Sequence, residues 1–151
     1  MARPPLFLAS QKLVGLSGKV ILVRENARRL AARGWPVTVL AQRLEDIGGP
    51  GVELRRVARP WVASLRTRWF TSRVHALARR RGALVVGHGE SLEEQHVLHV
   101  HNAVHRAHEA LTGHPLTPRE EPAYGRLQRR LMEGRRFTHV VANSELVRQD
   151  L

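Results

Sequence analysis

Three groups of residues in this 151-residue chain have types and spacings that could do chemistry. The first is the turn Gly15-Leu16-Ser17-Gly18-Lys19, set between a short apolar segment and a helical pattern. The second is histidine: His88 follows "VVG", and His99 and His101 stand two apart in "VLHVHN", which ends on Asn102. The third is Asn143-Ser144, closing "THVVANS". The turn invites comparison with a P-loop, whose first glycine and final hydroxyl wrap a triphosphate and ligate magnesium. Leu13 stands at that glycine position and Val20 at the hydroxyl, so the P-loop reading fails. A glycine turn opening a helix survives, and the free N–H groups of a helix start favour anions. Gly15 and Gly18 would let the backbone approach a sugar or phosphate, and Lys19 would add a positive charge. The alternative is a connecting turn that holds no ligand.

His99 and His101 share one face if "HVLHVHN" is a strand, because strand side chains alternate. There they could bond an acceptor hydroxyl or a phosphate oxygen, or simply face solvent or core. Ser144 reads most simply as a helix N-cap, with Glu145 favourable in the first turn. Five histidines between 96 and 108 raise the question of a metal. In "HEALT", however, Thr112 stands where a zincin needs its second histidine, and the chain has no cysteine. The expectation is no metal. His108 with Glu109 also fails as an acid–base pair, since helix neighbours point in different directions.

The elements that would position these residues follow from hydropathy patterning. "PPLFLAS" (4–10) reads as a buried first strand. A helix over 19–33 buries Val20, Val23, Ala27, Leu30 and Ala31, although Val20 to Val23 could alternatively be a strand. Gly34 ends it, and "PVTVLAQ" (36–42) reads as a β-branched strand. After the loop "IGGPG" (47–51), "VELRRVA" (52–58) alternates like an edge strand. Trp61 to Arg81 has helical spacing through Trp61, Leu65, Trp69, Val74, Leu77 and Ala78, closed by Gly82. Strands over 83–87, 96–102 and 138–144, a basic helix over 124–136 and a helix begun at 145 complete the chain. The segment 112–123 is the most loop-like. Strands alternating with helices indicate an α/β fold, a doubly wound, mostly parallel Rossmann-like sheet in one domain. In such a sheet the four candidate tips would lie along one carboxyl rim.

Bulk properties narrow the function. Without cysteine, disulfides and thiolate chemistry are excluded. The apolar run "PLFLA" is too short for a signal peptide, and nothing approaches the roughly 18 apolar residues of a membrane span. A cytoplasmic protein is expected. Twenty-five basic residues against 13 acidic ones give a net charge of +12, a field that attracts polyanions. The alternative is an arginine-rich genomic composition. Anionic lipid is the favoured partner of the arginines over 55–81 and 126–136, with peripheral docking at the inner face of the cytoplasmic membrane. Nucleic acid is disfavoured, because aromatics make up 5% of residues and no recognition motif is present.

The stretch "GKVILVRENARRLAARGWPVTVLAQ" resembles the first helix and second strand of family 4 glycosyltransferases. "THVVANSELVRQDL" resembles their later strand–Ser–helix signature, and "VVGHG" and "VLHVHN" are similar to strand ends that line the family's acceptor cleft. The short basic-helix interval from Asn102 to Thr138 looks most like the lipopolysaccharide-core glucosyltransferase branch. Two features depart from the pattern: Leu16 and Ser17 separate glycines that are usually adjacent, and Trp35-Pro36 replaces the common pair. The resemblance implies the N-terminal, acceptor-side half of a two-domain GT-B enzyme. It implies a retaining, nucleotide-sugar-dependent transfer of a hexose to a lipid-linked or envelope-polysaccharide acceptor. The donor would be bound mainly by a second domain or separate subunit, so the chain reads as truncated before the donor-binding half. No cofactor and no protein-bound metal are implied. Gly15, Ser17, Gly18, Lys19, His88, His99, His101, Asn102 and Ser144 are the candidate substrate contacts, with no catalytic residue assigned. Two other readings stay open: a non-catalytic basic nucleotide- or nucleic-acid-binding module, and an inactive truncated gene product.

Overall fold

The structure, a computed structural model, describes residues 2–102 and 104–150. Six strands form the main sheet: β1 (Leu6–Ala9), β3 (Val37–Ala41), β5 (Val52–Arg56), β6 (Leu84–His88), β7 (Val97–Val100) and β8 (His139–Ala142). Two short strands, β2 (Lys12–Leu13) and β4 (Arg43–Leu44), pair in a separate parallel ribbon. The helices are α1 (Gly18–Ala32), α2 (Arg66–Arg81), α3 (Val104–Thr112), α4 (Ala123–Gly134) and α5 (Glu145–Asp150). Strand order in the main sheet is β5-β3-β1-β6-β7-β8, and every neighbouring pair is parallel. The chain runs outward from β1 to β5, then returns to the other side of β1 with β6. That reversal makes a topological switch point, where ligands collect outside the carboxyl ends of the strands.

Local sequence explains where α1 begins. Ser17 is in extended conformation and its Oγ accepts the Val20 N–H at 3.3 Å, capping the helix. This cap settles the Val20–Val23 ambiguity in favour of helix, and Val20, Val23 and Ala27 are buried as the helical stripe requires. At the other end Gly34 takes φ +78, a left-handed conformation suited to glycine, and donates its N–H to Ala31 O at 2.8 Å.

The two faces of the sheet have separate cores. Leu8, Val39 and Ala41 pack with α1 on one face, while Phe7, Val85 and Leu92 pack with Phe70, Val74 and Ala78 of α2 on the other. Leu98 and Val100 join Leu127 and Leu131 of α4 and Val147 of α5 in a third cluster. Each fully buried Val, Leu or Phe contributes roughly 1.5–3 kcal/mol. These layers confirm the doubly wound α/β expectation.

Three expectations need correction. The helical stripe proposed over 61–81 holds only in its second half: Val74 and Ala78 are buried, but Trp61 is fully exposed and Leu65 and Trp69 are more than a third exposed. The α-helix starts at Arg66, after a 3-10 turn at Ala63–Leu65. The α2 residues Phe70 and Thr71, not the tryptophans, face the core. Second, α3 fills a stretch that hydropathy spacing leaves without an element. Third, β2 and β4, two residues each, are too short for any periodicity to register.

Candidate functional site

The parallel sheet brings the ends of β1, β6, β7 and β8 to one rim, in that lateral order. Strand alternation then decides which side chains meet. Val86 packs against the α1-side core, so His88, two residues on, projects from the same face. His88 pairs in register with His99 on the neighbouring strand, and His101 follows His99 on that face. Ring centroids are 5.1 Å apart for His88–His99, 5.5 Å for His88–His101 and 4.7 Å for His99–His101. Ligand-capable atoms of all three rings lie within 4.8 Å of one another.

Burial sets the chemistry of this cluster. His88 is 1% exposed and His99 8%. Neither ring nitrogen of His88, nor Nε2 of His101, has a hydrogen-bond partner among the described residues. Burial pushes the His88 imidazole well below its ordinary range, and His99, His101 and Lys19 push it further. His101 is held at about 4, again chiefly by burial, then by His99 and Lys19. Burial also lowers His99. Three neutral imidazoles result, each with one N–H to donate and one lone pair to accept. Lys19, at the start of α1, is half-buried beside them; burial lowers its pKa while Glu90 pulls it back up. Glu90 is itself raised by burial. A ligand rich in hydroxyls or anionic oxygens would satisfy the unpaired nitrogens, since polyols both donate and accept. The ammonium of Lys19 and the positive end of α1 weigh against a cation here.

The remaining candidates fall into two groups. Asn102, Asn143 and Ser144 line a cavity with His101 at the β7–β8 end. Asn143 Nδ2 donates to His101 O at 3.2 Å, tying the two strand tips together. The Ser144 hydroxyl accepts the Val147 N–H at 3.2 Å, as an N-cap does. Gly15 and Ser17 lie in the loop that leads to α1, and Gly18 is the first residue of that helix, directly before Lys19. Gly15 adopts φ +74, but its N–H already donates to Glu45 Oε2 at 2.9 Å. Ser17 is engaged as the α1 cap. The glycine turn thus orients Lys19 and the helix end, and its Gly15 amide is not free to hold a ligand.

Sequence reasoning passed over two polar features. Glu90 is the carboxylate that balances Lys19, and one acidic residue in a glycine-rich strand end gives no periodic signal. Ser91 joins the loops flanking the crevice: its Oγ donates to His88 O at 2.9 Å and lies 3.2 Å from Ser10 Oγ. Gln11 Nε2 donates to Ser91 O at 3.1 Å and to Thr67 Oγ1 at 2.9 Å. A further cavity, lined by Arg79, Arg135 and Arg136, lies at the opposite, amino edge of the sheet and shares nothing with this crevice.

A six-stranded parallel sheet, helices on both faces and a polar crevice at the switch point together define a Rossmann-like unit of the kind that forms half of a GT-B glycosyltransferase. The crystal structure of WaaG, a glycosyltransferase involved in lipopolysaccharide biosynthesis, is similar to this chain with a TM-score of 0.69 at 20% sequence identity. The match covers 96% of this chain and 40% of WaaG, so the chain spans well under half the length of that enzyme. The fold implied by the resemblance is thereby borne out. No protein-family model matches the sequence, and no curated protein matches it. Among the described residues, no helix is long and apolar enough to cross a membrane.

Proposed function

We propose that the chain is the acceptor-binding half of a retaining, nucleotide-sugar-dependent glycosyltransferase acting on a lipid-linked or cell-envelope polysaccharide acceptor. One observation carries this reading: Lys19 and the neutral imidazoles of His88, His99 and His101 converge at the switch point of a glycosyltransferase-like fold. Neutral imidazoles suit sugar hydroxyls, and Lys19 suits a phosphoryl group on the acceptor. Asn102 and the β8 tip extend the crevice sideways, giving room for a second sugar unit. Bond formation at the acceptor hydroxyl needs an activated donor, which a second, donor-binding domain or subunit supplies.

An exposed patch supports docking on anionic lipid. Trp61, Val62 and Leu65 are exposed, and Arg73 stacks at 4.4 Å over Trp69, in a segment dense with arginine. Aromatic rings beside arginines suit the headgroup level of a bilayer, where each basic residue contributes about 1 kcal/mol. The patch would hold the protein at the inner face of the cytoplasmic membrane, close to a lipid-linked acceptor.

The direct test is histidine-detected NMR with a hexose phosphate, paired with a transfer assay. The His88, His99 and His101 resonances should shift at millimolar sugar phosphate, and the isolated chain should not transfer sugar from a UDP-hexose. Absence of any shift would refute the site. Turnover of a UDP-sugar by the 151-residue chain alone would refute the half-enzyme reading.

A further inference from the structure

A second set of histidine and carboxylate side chains lies where α3 runs into the loop before α4. His108 in α3, His114 just past it and Glu120 before α4 bring potential ligand atoms within 4.8 Å of one another. The local backbone causes this meeting. Gly113 takes φ +76, which turns the chain back at the end of α3, and its N–H donates to Glu109 O at 2.8 Å. The Thr112 hydroxyl donates to His108 O at 2.8 Å and accepts the His114 N–H at 3.5 Å. The His114 ring is thereby folded onto His108, with centroids 5.1 Å apart and planes at 73°.

Two of the three side chains are already oriented from behind. His114 Nδ1 lies 3.1 Å from the Pro115 carbonyl. A carbonyl only accepts, so Nδ1 carries the proton and Nε2 keeps its lone pair. Glu120 Oε2 accepts both the Thr117 N–H, at 3.2 Å, and the Thr117 hydroxyl, at 2.6 Å, while Oε1 has no hydrogen bond among the described residues. His108 Nε2 is shut off from solvent and unpartnered among those residues. A carbonyl behind an imidazole and donors behind a carboxylate are the outer partners that orient metal ligands.

We infer that His108, His114 and Glu120 form a binding site for a divalent cation of the zinc class. Two imidazoles and one carboxylate suit borderline metals, whereas magnesium and calcium prefer all-oxygen sets. Tetrahedral zinc holds such ligands about 3.3 Å apart, with metal bonds near 2.0–2.2 Å. Binding would draw the ligand atoms inward from their present separations, which are within 4.8 Å. The carboxylate supplies negative charge, in contrast to the strand-end cluster beside Lys19. Sequence spacing misses the site because Thr112 occupies the helical position that a second histidine would need, and His114 arrives only through the Gly113 turn. The ion would clip the loop after α3 to the helix. His108 and Glu120 also line the cavity that holds His101 and Ser144.

The test uses the full chain without a histidine tag and zinc chloride in competition with a chromophoric chelator, with cobalt(II) absorption as a second readout. One equivalent should bind, with a rise in the thermal unfolding midpoint. His114→Gln and Glu120→Gln should each weaken binding at least about tenfold and remove that rise, while His88→Leu should leave both unchanged. Circular dichroism of each variant without zinc should match the parent, since His114 and Glu120 are exposed. The inference is overturned if no equivalent binds, if both variants bind as the parent does, or if only His88→Leu abolishes binding.

Discussion

The two histidine clusters have the same closeness of ligand atoms and opposite surroundings. His88 and His99 are buried on parallel strands and His101, half-buried, follows at the tip of β7, all beside Lys19 and the amino end of α1. His108, His114 and Glu120 sit on a helix end and a loop, mostly exposed, with a carboxylate among them. Proximity alone would assign both to metal. Charge separates them: the first presents imidazoles in a positive field, suited to sugar oxygens or phosphate, and the second presents lone pairs beside a negative group. The outer partners separate them again. His114 and Glu120 are braced from behind, while His88 has no partner at either nitrogen among the described residues.

The largest expected effect is on stability against pH. His88 and His101 bind protons less readily folded than unfolded, so the unfolded chain gains more protons as pH falls. Stability contributed by keeping them neutral is intact above the unfolded value near 6.5 and is lost as pH falls toward about 4. His101 alone should remove about 2 kcal/mol over that window, after allowance for its partial exposure. Urea unfolding at pH 7.5 and 4.5 measures this, and His101→Gln should flatten the profile. If His101→Gln leaves the profile as steep as in the parent chain, the electrostatic contrast between the clusters is wrong.

A smaller effect sharpens the same contrast. His88→Leu removes two unpartnered buried nitrogens at similar volume and should stabilise the chain by about 1–2 kcal/mol at neutral pH while abolishing the sugar-phosphate response. Denaturant midpoints together with NMR titration would check both halves. A loss of stability would mean that the His88 nitrogens are satisfied in solution. Smallest is Ser17→Ala, which removes the α1 cap. It should destabilise by about 1 kcal/mol and weaken ligand response only modestly, because Lys19 stays in place. A complete loss of binding would assign the Ser17 hydroxyl to the ligand instead of the helix.

Much of this frame was legible in the residues, and the reasons are specific. Continuous apolar runs such as "ALVVG" and turn glycines at 34 and 82 mark strands and helix ends because burial and left-handed backbone act locally. The rim shared by His88 and His101 followed from topology once the sheet was taken as parallel. The direct pairing of His88 with His99 did not, since register depends on how β6 and β7 slide against each other. The Trp61–Trp69 stripe misled for a related reason: helical spacing identifies a face, but whether that face meets core or solvent is decided by packing. Glu90 and Ser91 carry no periodicity at all. Their part depends on contacts between distant segments, which a single sequence does not display.

The ties among Ser10, Gln11, Thr67 and Ser91 have a consequence for binding. They fasten the segment after β1 to the one after β6, so both walls of the crevice are set before any ligand arrives. On the proposed reading, an incoming sugar would meet a preorganised surface and avoid the entropy of ordering two free loops, which would otherwise subtract from affinity. On that reading, recognition at the switch point would be closer to lock-and-key than to induced fit.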